Sequence, residues 1–489
     1  MKHPLLPIRV GGPLRLATLA AGACAVALLA GCATPGADRA PIASTQPAAL
    51  GLAESPASTP VAPQWWTALG DKQLNALVDQ ALQGHPSLTV ARARLDRAGA
   101  LADISRASSL PQATLSAELT RQRYSANGLV PAPIAGSTRD SGTLQASFTW
   151  SPDFFGLHAA ELASALGQAR AAQADAAATT ITLAAQLGRA YVALARLLAQ
   201  REVAERSLAQ RTEILALTRE RVAAGLDTQV ELTQADGALP DARTQIEALD
   251  EQIALARHQL ATLTGQGPNT LDTLAPQLAS LRLDAMPPAL GADLLGRRPD
   301  VVAARWRVEA AAQDVTVART QFYPNINLGA FVGQNALGLS HLLDGGSRQL
   351  GITPALHLPL FDGGRLRAQL GGRRAELDSA IAQYNGVLLD AVKEASDAIS
   401  SSQSLERQQR EQAAAMASAE TAHALALQRF RAGLGSYLIV LNTESQLLAQ
   451  RRLAADLQAR RLDTRVALMK ALGGGWTDTE MAAPTLALR

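Results

Sequence analysis

Four stretches of the chain alternate apolar and polar residues with a period of two. Ala113, Leu115, Ala117 and Leu119 interleave with Thr114, Ser116, Glu118 and Thr120; Leu144, Ala146, Phe148 and Trp150 interleave with Thr143, Gln145, Ser147 and Thr149. Further along, Ile326, Leu328, Ala330 and Val332 alternate with Asn325, Asn327 and Gly329, and Leu350, Ile352, Leu356 and Leu358 with Gln349, Thr353 and His357. This period predicts strands with one apolar face, at about 112–124, 141–151, 325–334 and 348–358. Loops at about 125–140 and 334–347 join them in pairs. Roughly ten residues suffice to cross a bilayer on a tilt. The same pattern serves a soluble sandwich with its apolar faces packed inward equally well.

The period then changes to that of helices. Two Pro-free stretches, Leu157 to about Ala224 and Arg365 to about Ala432, predict single helices on the order of 100 Å long at 1.5 Å per residue. Gly225 and Gly433 follow them, at helix C-terminal positions that need positive φ. Thr228 and Ser436 suit the N-caps of the returning helices, which run to about Leu263 and Leu472. Ile246, Leu249, Ile253, Ala256, Leu260 and Leu263 repeat at 3-4-3-4-3, and Leu441, Leu448, Ala455, Leu462 and Met469 recur every seventh residue, as in coiled-coil seams. Pro240 is expected to kink or interrupt the first returning helix. Shorter helices are predicted from Pro86 to about Ser108 and from Pro299 to about Gln321, with Pro111 and Pro324 stopping them. Beyond the N-terminal segment no apolar run is expected to reach the length of a membrane helix, so a membrane crossing has to use strands.

The chain is a duplication. His85-Pro86 to Pro111 aligns without a gap on Arg298-Pro299 to Pro324, and Arg92, Arg94 and Arg106 fall on Arg305, Arg307 and Arg319. Pro152-Asp153-Phe154-Phe155-Gly156 falls on Pro359-Leu360-Phe361-Asp362-Gly363, and Arg221-Val222-Ala223-Ala224-Gly225-Leu226 on Arg429-Phe430-Arg431-Ala432-Gly433-Leu434. The repeats span 64–285 and 286–476, with a tail at 477–489. Self-similarity over such a period marks a repeated structural unit.

The N-terminus reads as an export signal over 1–31. Lys2, Arg9 and Arg15 precede an apolar run from Leu16 to Ala30, which ends in Leu29-Ala30-Gly31-Cys32. This resembles a lipoprotein signal, in which Cys32 becomes the acylated N-terminus and anchors the chain. Residues 32–63, rich in Pro, Ala, Ser and Thr, read as a flexible tether. Removing the signal turns the formal charge of +2 into −1, and a nucleic-acid partner loses its support. Cys24 leaves with the signal and Cys32 is capped, so no thiol remains for a disulfide, metal or nucleophile. The seven His are scattered, and no His-Glu-x-x-His, Gly-x-Ser-x-Gly or Gly-x-Gly-x-x-Gly occurs. No catalytic residue, cofactor or metal site is expected. The chain is 47% hydrophobic but 3% aromatic. Nine of its 17 aromatics fall in 124–155 and 322–361, around the strands, where interfacial rings are expected.

Four strands cannot close a barrel, and an open edge in lipid leaves backbone groups unpaired. Membrane strands here require chains to associate, and three chains supply twelve. With Cys32, Trp65-Trp66 before Leu69-Gly70-Asp71, Asp293-Leu294-Leu295, Arg297-Arg298-Pro299-Asp300, Leu358-Pro359-Leu360-Phe361-Asp362-Gly363-Gly364-Arg365 and Ala471-Leu472-Gly473-Gly474-Gly475-Trp476, the chain resembles the outer membrane factors of the TolC type, in their NodT/OprM-like lipoprotein branch. The resemblance implies a mainly α fold with a small membrane β part: a homotrimer with a twelve-strand barrel and a long coiled-coil α-barrel. It implies a passive efflux conduit in the outer membrane, coupled to a periplasmic adaptor and an inner-membrane pump, commonly of the resistance–nodulation–division class. The adaptor is expected at the hairpin turns, Ala224, Gly225, Leu226, Asp227 and Thr228 with Gly433, Leu434, Gly435 and Ser436. The pore gate is expected at Leu438, Asn442 and Ser445. Relatives often carry Asp and, three residues on, Arg where this chain has Asn442 and Ser445, so its gate rests on the Leu438 ring and hydrogen bonds. Type I secretion, metal efflux and a purely structural periplasmic coiled-coil lipoprotein are the alternatives.

Overall fold

The computed structural model describes residues 34–35, 39–45, 61–282 and 297–477. The signal segment, Cys32 and the C-terminal tail beyond Thr477 lie outside them. The elements are α1 (Lys72–Gly84), α2 (Pro86–Ser108), β1 (Gln112–Arg123), β2 (Thr138–Trp150), α3 (Leu157–Ala223), α4 (Gln229–Leu263), α5 (Pro299–Thr320), β3 (Asn325–Leu337), β4 (Arg348–His357), α6 (Arg365–Arg431) and α7 (Tyr437–Ala471). The duplication is visible in the helices: α3 and α6 both have 67 residues, α4 and α7 both 35. Strands β2 and β3 extend about three residues into the expected loops. The chain divides into two compact units, one holding 96–170 and 306–382, the other 44–95, 171–305 and 383 onward.

The first unit carries the sheet. Its order is β1-β2-β3-β4, antiparallel throughout. Leu115 lies opposite Ala146, Ala146 opposite Val332, and Val332 opposite Leu350. Directly opposed residues share a face, so the apolar positions of all four strands merge into one surface. That surface is bare: Leu115 is 76% and Ile352 79% exposed. A soluble sandwich needs a second layer over this face, and among the described residues no second sheet covers it. The opposite face is polar and internally bonded: Gln349 Nε2 donates to Gln145 Oε1 at 2.9 Å, and Asn335 Nδ2 to Thr143 Oγ1 at 3.0 Å. Among the described residues β1 and β4 are the sheet's edges, with no further strand paired to either.

The Pro-Asp-Phe-Phe-Gly and Phe-Asp-Gly motifs cap the long helices. Asp153 accepts from Ala159 N at 2.8 Å; Asp362 accepts from Gly364 N at 2.9 Å and Leu366 N at 2.7 Å. Part of the expected tether is held rather than free. Ile42 N donates to Asp378 at 3.0 Å and Thr45 N to Asn385 at 2.8 Å. An extended chain has unpaired N–H groups, and α6 offers acceptors to them.

The second unit carries the helical hairpins. Its largest core packs Trp65, Trp66 and Leu74 with Leu187, Tyr191 and Leu194 of α3, Leu260 of α4 and Leu462, Val466 and Leu468 of α7. Tyr191 OH donates to Asp71 Oδ2 at 2.8 Å, while Asp71 Oδ1 accepts from Gln73 N at the start of α1. Burial first, then this bond, pushes the Tyr191 hydroxyl above its ordinary pKa. Gly473, Gly474 and Gly475 all have positive φ, and a Cβ on Gly475 would run into the Ala62 carbonyl oxygen. Only glycine fits this turn.

Two expectations on helices need correction. Pro240 does not interrupt α4, which is continuous from Gln229 to Leu263. The missing N–H removes one ladder bond, whereas Ala235, Ala238, Leu239 and Ala242 are buried on both sides of it. Packing outweighs a single lost bond. Second, α3 contains an 18-residue stretch of mean hydropathy 1.2, apolar enough for a membrane helix; 61% of it is buried inside the protein. Its Ala and Leu residues serve helix packing.

Candidate functional site

The two hairpin turns repeat one backbone solution. Gly225 (φ +73°) donates to Val222 O at 3.0 Å and Leu226 N to Arg221 O at 2.8 Å; Gly433 (φ +77°) donates to Phe430 O at 3.0 Å and Leu434 N to Arg429 O at 2.9 Å. Both are Schellman closures, which need the left-handed glycine. The returning helices start differently. Thr228 caps α4: Val230 N donates to its Oγ1 at 3.1 Å, and Glu231 reaches back to accept from Thr228 N at 2.9 Å. The bond from the Thr228 hydroxyl, followed by backbone donors, holds the Glu231 carboxyl below its usual range. Ser436 occupies the N-cap of α7 but makes no side-chain cap bond. Its repeat counterpart of Glu231 is Ile439, which cannot complete a capping box.

Of the expected docking residues, Ala224, Gly225, Leu226, Thr228, Gly433, Leu434 and Ser436 are exposed and Gly435 is half-buried. Asp227 is not available. Arg221 grips its carboxylate from Nε at 2.7 Å and Nη2 at 3.0 Å, and also donates from Nη1 to Phe430 O at 3.0 Å. Arg221 lies 4.7 Å over the Phe430 ring. One arginine thus ties the first turn to the end of α6, and its bond to Asp227 pushes its own pKa up. Leu226 and Leu434, equivalent in the two repeats, are left as the apolar tips.

Leu438, Asn442 and Ser445 are all exposed on one side of α7, spaced by four and three residues. Ser445 Oγ donates to Leu441 O at 2.9 Å, so its hydroxyl is satisfied within its own helix. The other side, Tyr437, Val440, Glu444 and Leu447, is buried.

Sequence reasoning missed Glu444. It is 2% exposed, beside Val440 and Leu447 in the seam. Ser207 Oγ donates to it at 2.8 Å and Arg211 Nε at 3.2 Å, while Arg211 Nη1 donates to Ala238 O at 3.0 Å. The pair joins α3, α4 and α7 below a core of Ile214, Leu239, Ala426, Phe430, Tyr437 and Val440. A charged residue three after Leu441 and four before Leu448 of the heptad seam was the available signal.

His423 of α6 is buried near the same place, its Nδ1 3.4 Å from Thr443 Oγ1. Burial lowers its pKa; Glu444 opposes this and Arg451 adds to it. The unfolded chain therefore holds the proton at pH values where the folded one has lost it. Stability is full above the ordinary histidine pKa and falls as pH drops through it. Melting temperature is expected to fall more between about pH 7.5 and 5.5 in the native protein than in His423→Gln; equal falls would refute this.

The Arg-Arg-Pro-Asp motif is also structural. Arg298 binds Asp300 at 2.7 Å, Glu394 of α6 at 2.9 Å and Ala471 O at the end of α7 at 3.3 Å. Among the described residues no three His, Cys, Asp or Glu side chains group as a metal site.

Comparisons with known proteins agree with this architecture. The family model for outer membrane efflux proteins matches residues 77–266 and 290–474. The fusaric acid resistance protein FusA of Burkholderia cepacia is 39% identical over 376 residues, covering 74% of this chain and 70% of that protein. The multidrug resistance outer membrane protein MdtQ of Escherichia coli O157:H7 is 33% identical over 421 residues, covering 84% and 88%. The crystal structure of the outer membrane protein VceC from Vibrio cholerae superposes with a TM-score of 0.81 at 37% identity, covering 86% of this chain and 100% of that one. An open-edged sheet with a bare apolar face, joined to long helical hairpins, defines an outer-membrane efflux channel protomer. The chain belongs to the outer membrane efflux protein family.

Proposed function

We propose that three copies of this chain assemble into a passive conduit, their sheets closing a twelve-strand barrel and their hairpins a periplasmic tube. The four-stranded sheet carries this reading, because it has two unpaired edges and an exposed apolar face. In lipid each unpaired backbone group costs several kcal/mol, so the edges must meet other edges. Cys32 supplies a lipid anchor on the periplasmic side. The cargo is small toxic organic molecules, the class for which FusA and MdtQ are named. The chain performs no chemistry on them. Energy and selection come from an inner-membrane pump of the resistance–nodulation–division type, joined through a periplasmic adaptor.

The adaptor meets the turns at Leu226 and Leu434, the exposed apolar residues that both repeats place there. The pore narrows at the Leu438, Asn442 and Ser445 face of α7, which the protomer leaves uncovered. An Asn ring carries no formal charge to attract cations. Purified trimers in planar bilayers are expected to conduct with weak cation preference, unchanged in Asn442→Ala. Absence of trimers or conductance would overturn the conduit; strong cation selectivity removed by Asn442→Ala would overturn the gate assignment.

A further inference from the structure

Toward the loop end the bare apolar face meets a polar or charged residue on every strand; on β3 one outward residue follows it, Ala336, buried opposite Gly142, against which Leu339 and Leu342 of the β3–β4 loop lie. Beyond Leu119 of β1 comes Arg121; beyond Gly142 of β2, Asp140; beyond Val332 of β3, Gln334; beyond Leu350 of β4, Arg348. The register shows that these stops are staggered. Arg121 is opposite Asp140, but Arg348 is opposite Gln334, Gln334 opposite Leu144, and Leu144 opposite Ala117. The boundary therefore shifts by four residues along the strand between β1 and β4. At about 3.4 Å per residue and about 4.8 Å between strands, that is roughly 14 Å along for roughly 14 Å across. The slope, about 40–45°, is the tilt of strands in membrane barrels, about 35–45°.

The other boundary moves in the same sense. The apolar run of β1 begins at Ala113, whose row crosses to Phe148, Ala330 and Ile352; that of β4 continues to Leu356, four residues further. Strands given the usual tilt thus carry the polar stops at one height. They form a level rim at the loop end, the end not continued into helices.

The rim is basic. Arg123 lies on the same face two residues past Arg121, so three arginines face one acid, Asp140. Arg121 pairs with Asp140 at 3.6 Å, with side chains 78% and 40% exposed. Arg123 and Arg348 are exposed, and among the described residues neither pairs with a carboxylate. The loops above add only Asp344, which is bound to His341 at 2.8 Å. Arg121 and Arg123 sit on one sheet edge and Arg348 on the other. When the β4 edge of one copy meets the β1 edge of the next, all three gather at the seam.

We propose that this rim binds the phosphate groups of the phosphorylated glycolipid in the outer leaflet, with the acyl chains lying on the apolar band below. The proposal rests on the reading of the sheet as a barrel wall. Arginine forks match phosphate oxygens in pairs, and a basic surface at headgroup height meets anionic lipid across little water.

The test uses full-length trimers in detergent, titrated with fluorescent lipopolysaccharide. The native protein is expected to bind phosphorylated lipopolysaccharide at least about tenfold more tightly than a dephosphorylated preparation. The triple variant Arg121→Gln, Arg123→Gln, Arg348→Gln is expected to lose that preference. Arg139→Gln, near the same height on the polar face, is expected to keep it. Equal binding of the two lipid preparations by native trimers overturns the proposal without any variant, as does an undiminished preference in the triple variant. Trimerisation and conductance are read in parallel: their failure in the native protein refutes the conduit, whereas conducting trimers indifferent to lipid phosphate refute only the rim.

Discussion

Glu444→Leu alone is expected to destabilise the protomer by about 3–5 kcal/mol, while Glu444→Leu with Arg211→Met is expected to recover most of the loss. Removing the carboxylate leaves the Arg211 guanidinium buried at 9% exposure, with Ala238 O as its remaining acceptor and no opposite charge. The double variant removes both charges and fills the seam with apolar groups of similar volume, which the neighbouring Val440, Leu447, Ile214 and Leu239 accept. Melting temperature and trimer yield in detergent report the outcome. A single variant as stable as the native protein would show that the pair is solvated in the assembled channel. A double variant no better than the single would assign the loss to shape rather than charge.

Gly433→Asp is expected to abolish efflux while trimers still form. The residue has positive φ, which costs a non-glycine side chain about 1–2 kcal/mol, and nothing blocks a Cβ there: the nearest atom is Arg221 Nη1 at 3.7 Å. The fold therefore tolerates the change. The new carboxylate, however, competes with Asp227 and Phe430 O for Arg221, the group that ties the two turns together. It also places a charge beside the apolar tip Leu434, at a helix C-terminus that already carries negative charge. Gly225→Asp is expected to act in the same direction, without the competition for Arg221, since no atom lies within 4 Å of its Cβ position. Drug susceptibility of a deletion strain carrying each variant, with trimers measured on gels, checks this; normal resistance would remove the turns from the docking surface.

Much of the fold was legible in the amino-acid order. Leu115, Phe148, Val332 and Ile352 lie on the face that their alternation predicts, and Gly225 and Gly433 close turns that only a left-handed residue closes. Such features depend on near neighbours along the chain: a strand has a period of two, and a Schellman turn involves six residues. That Pro240 leaves α4 uninterrupted is not such a feature. Local rules count its missing bond but not the buried alanines and leucine around it.

The candidate site was legible only in outline. Leu438, Asn442 and Ser445, and the turn residues Leu226 and Leu434, are named by the family resemblance, and the structure leaves all five exposed. The withdrawal of Asp227 was not legible, because its partner Arg221 also reaches Phe430, 209 residues away. Neither was the Arg211–Glu444 pair, which spans 233 residues.

The sequence alone determined the duplication, the strand and helix periods, the turn glycines and, for strands set in a membrane, the need for more than one chain to pair their edges. Tertiary structure decided which face stays bare, which charges are buried, and the four-residue offset between Arg121 of β1 and Arg348 of β4. The physical reason is range. Backbone conformation and periodicity are set within a few residues, whereas burial and pairing depend on elements that meet only after folding, when apolar area leaves water and every enclosed charge must find a partner.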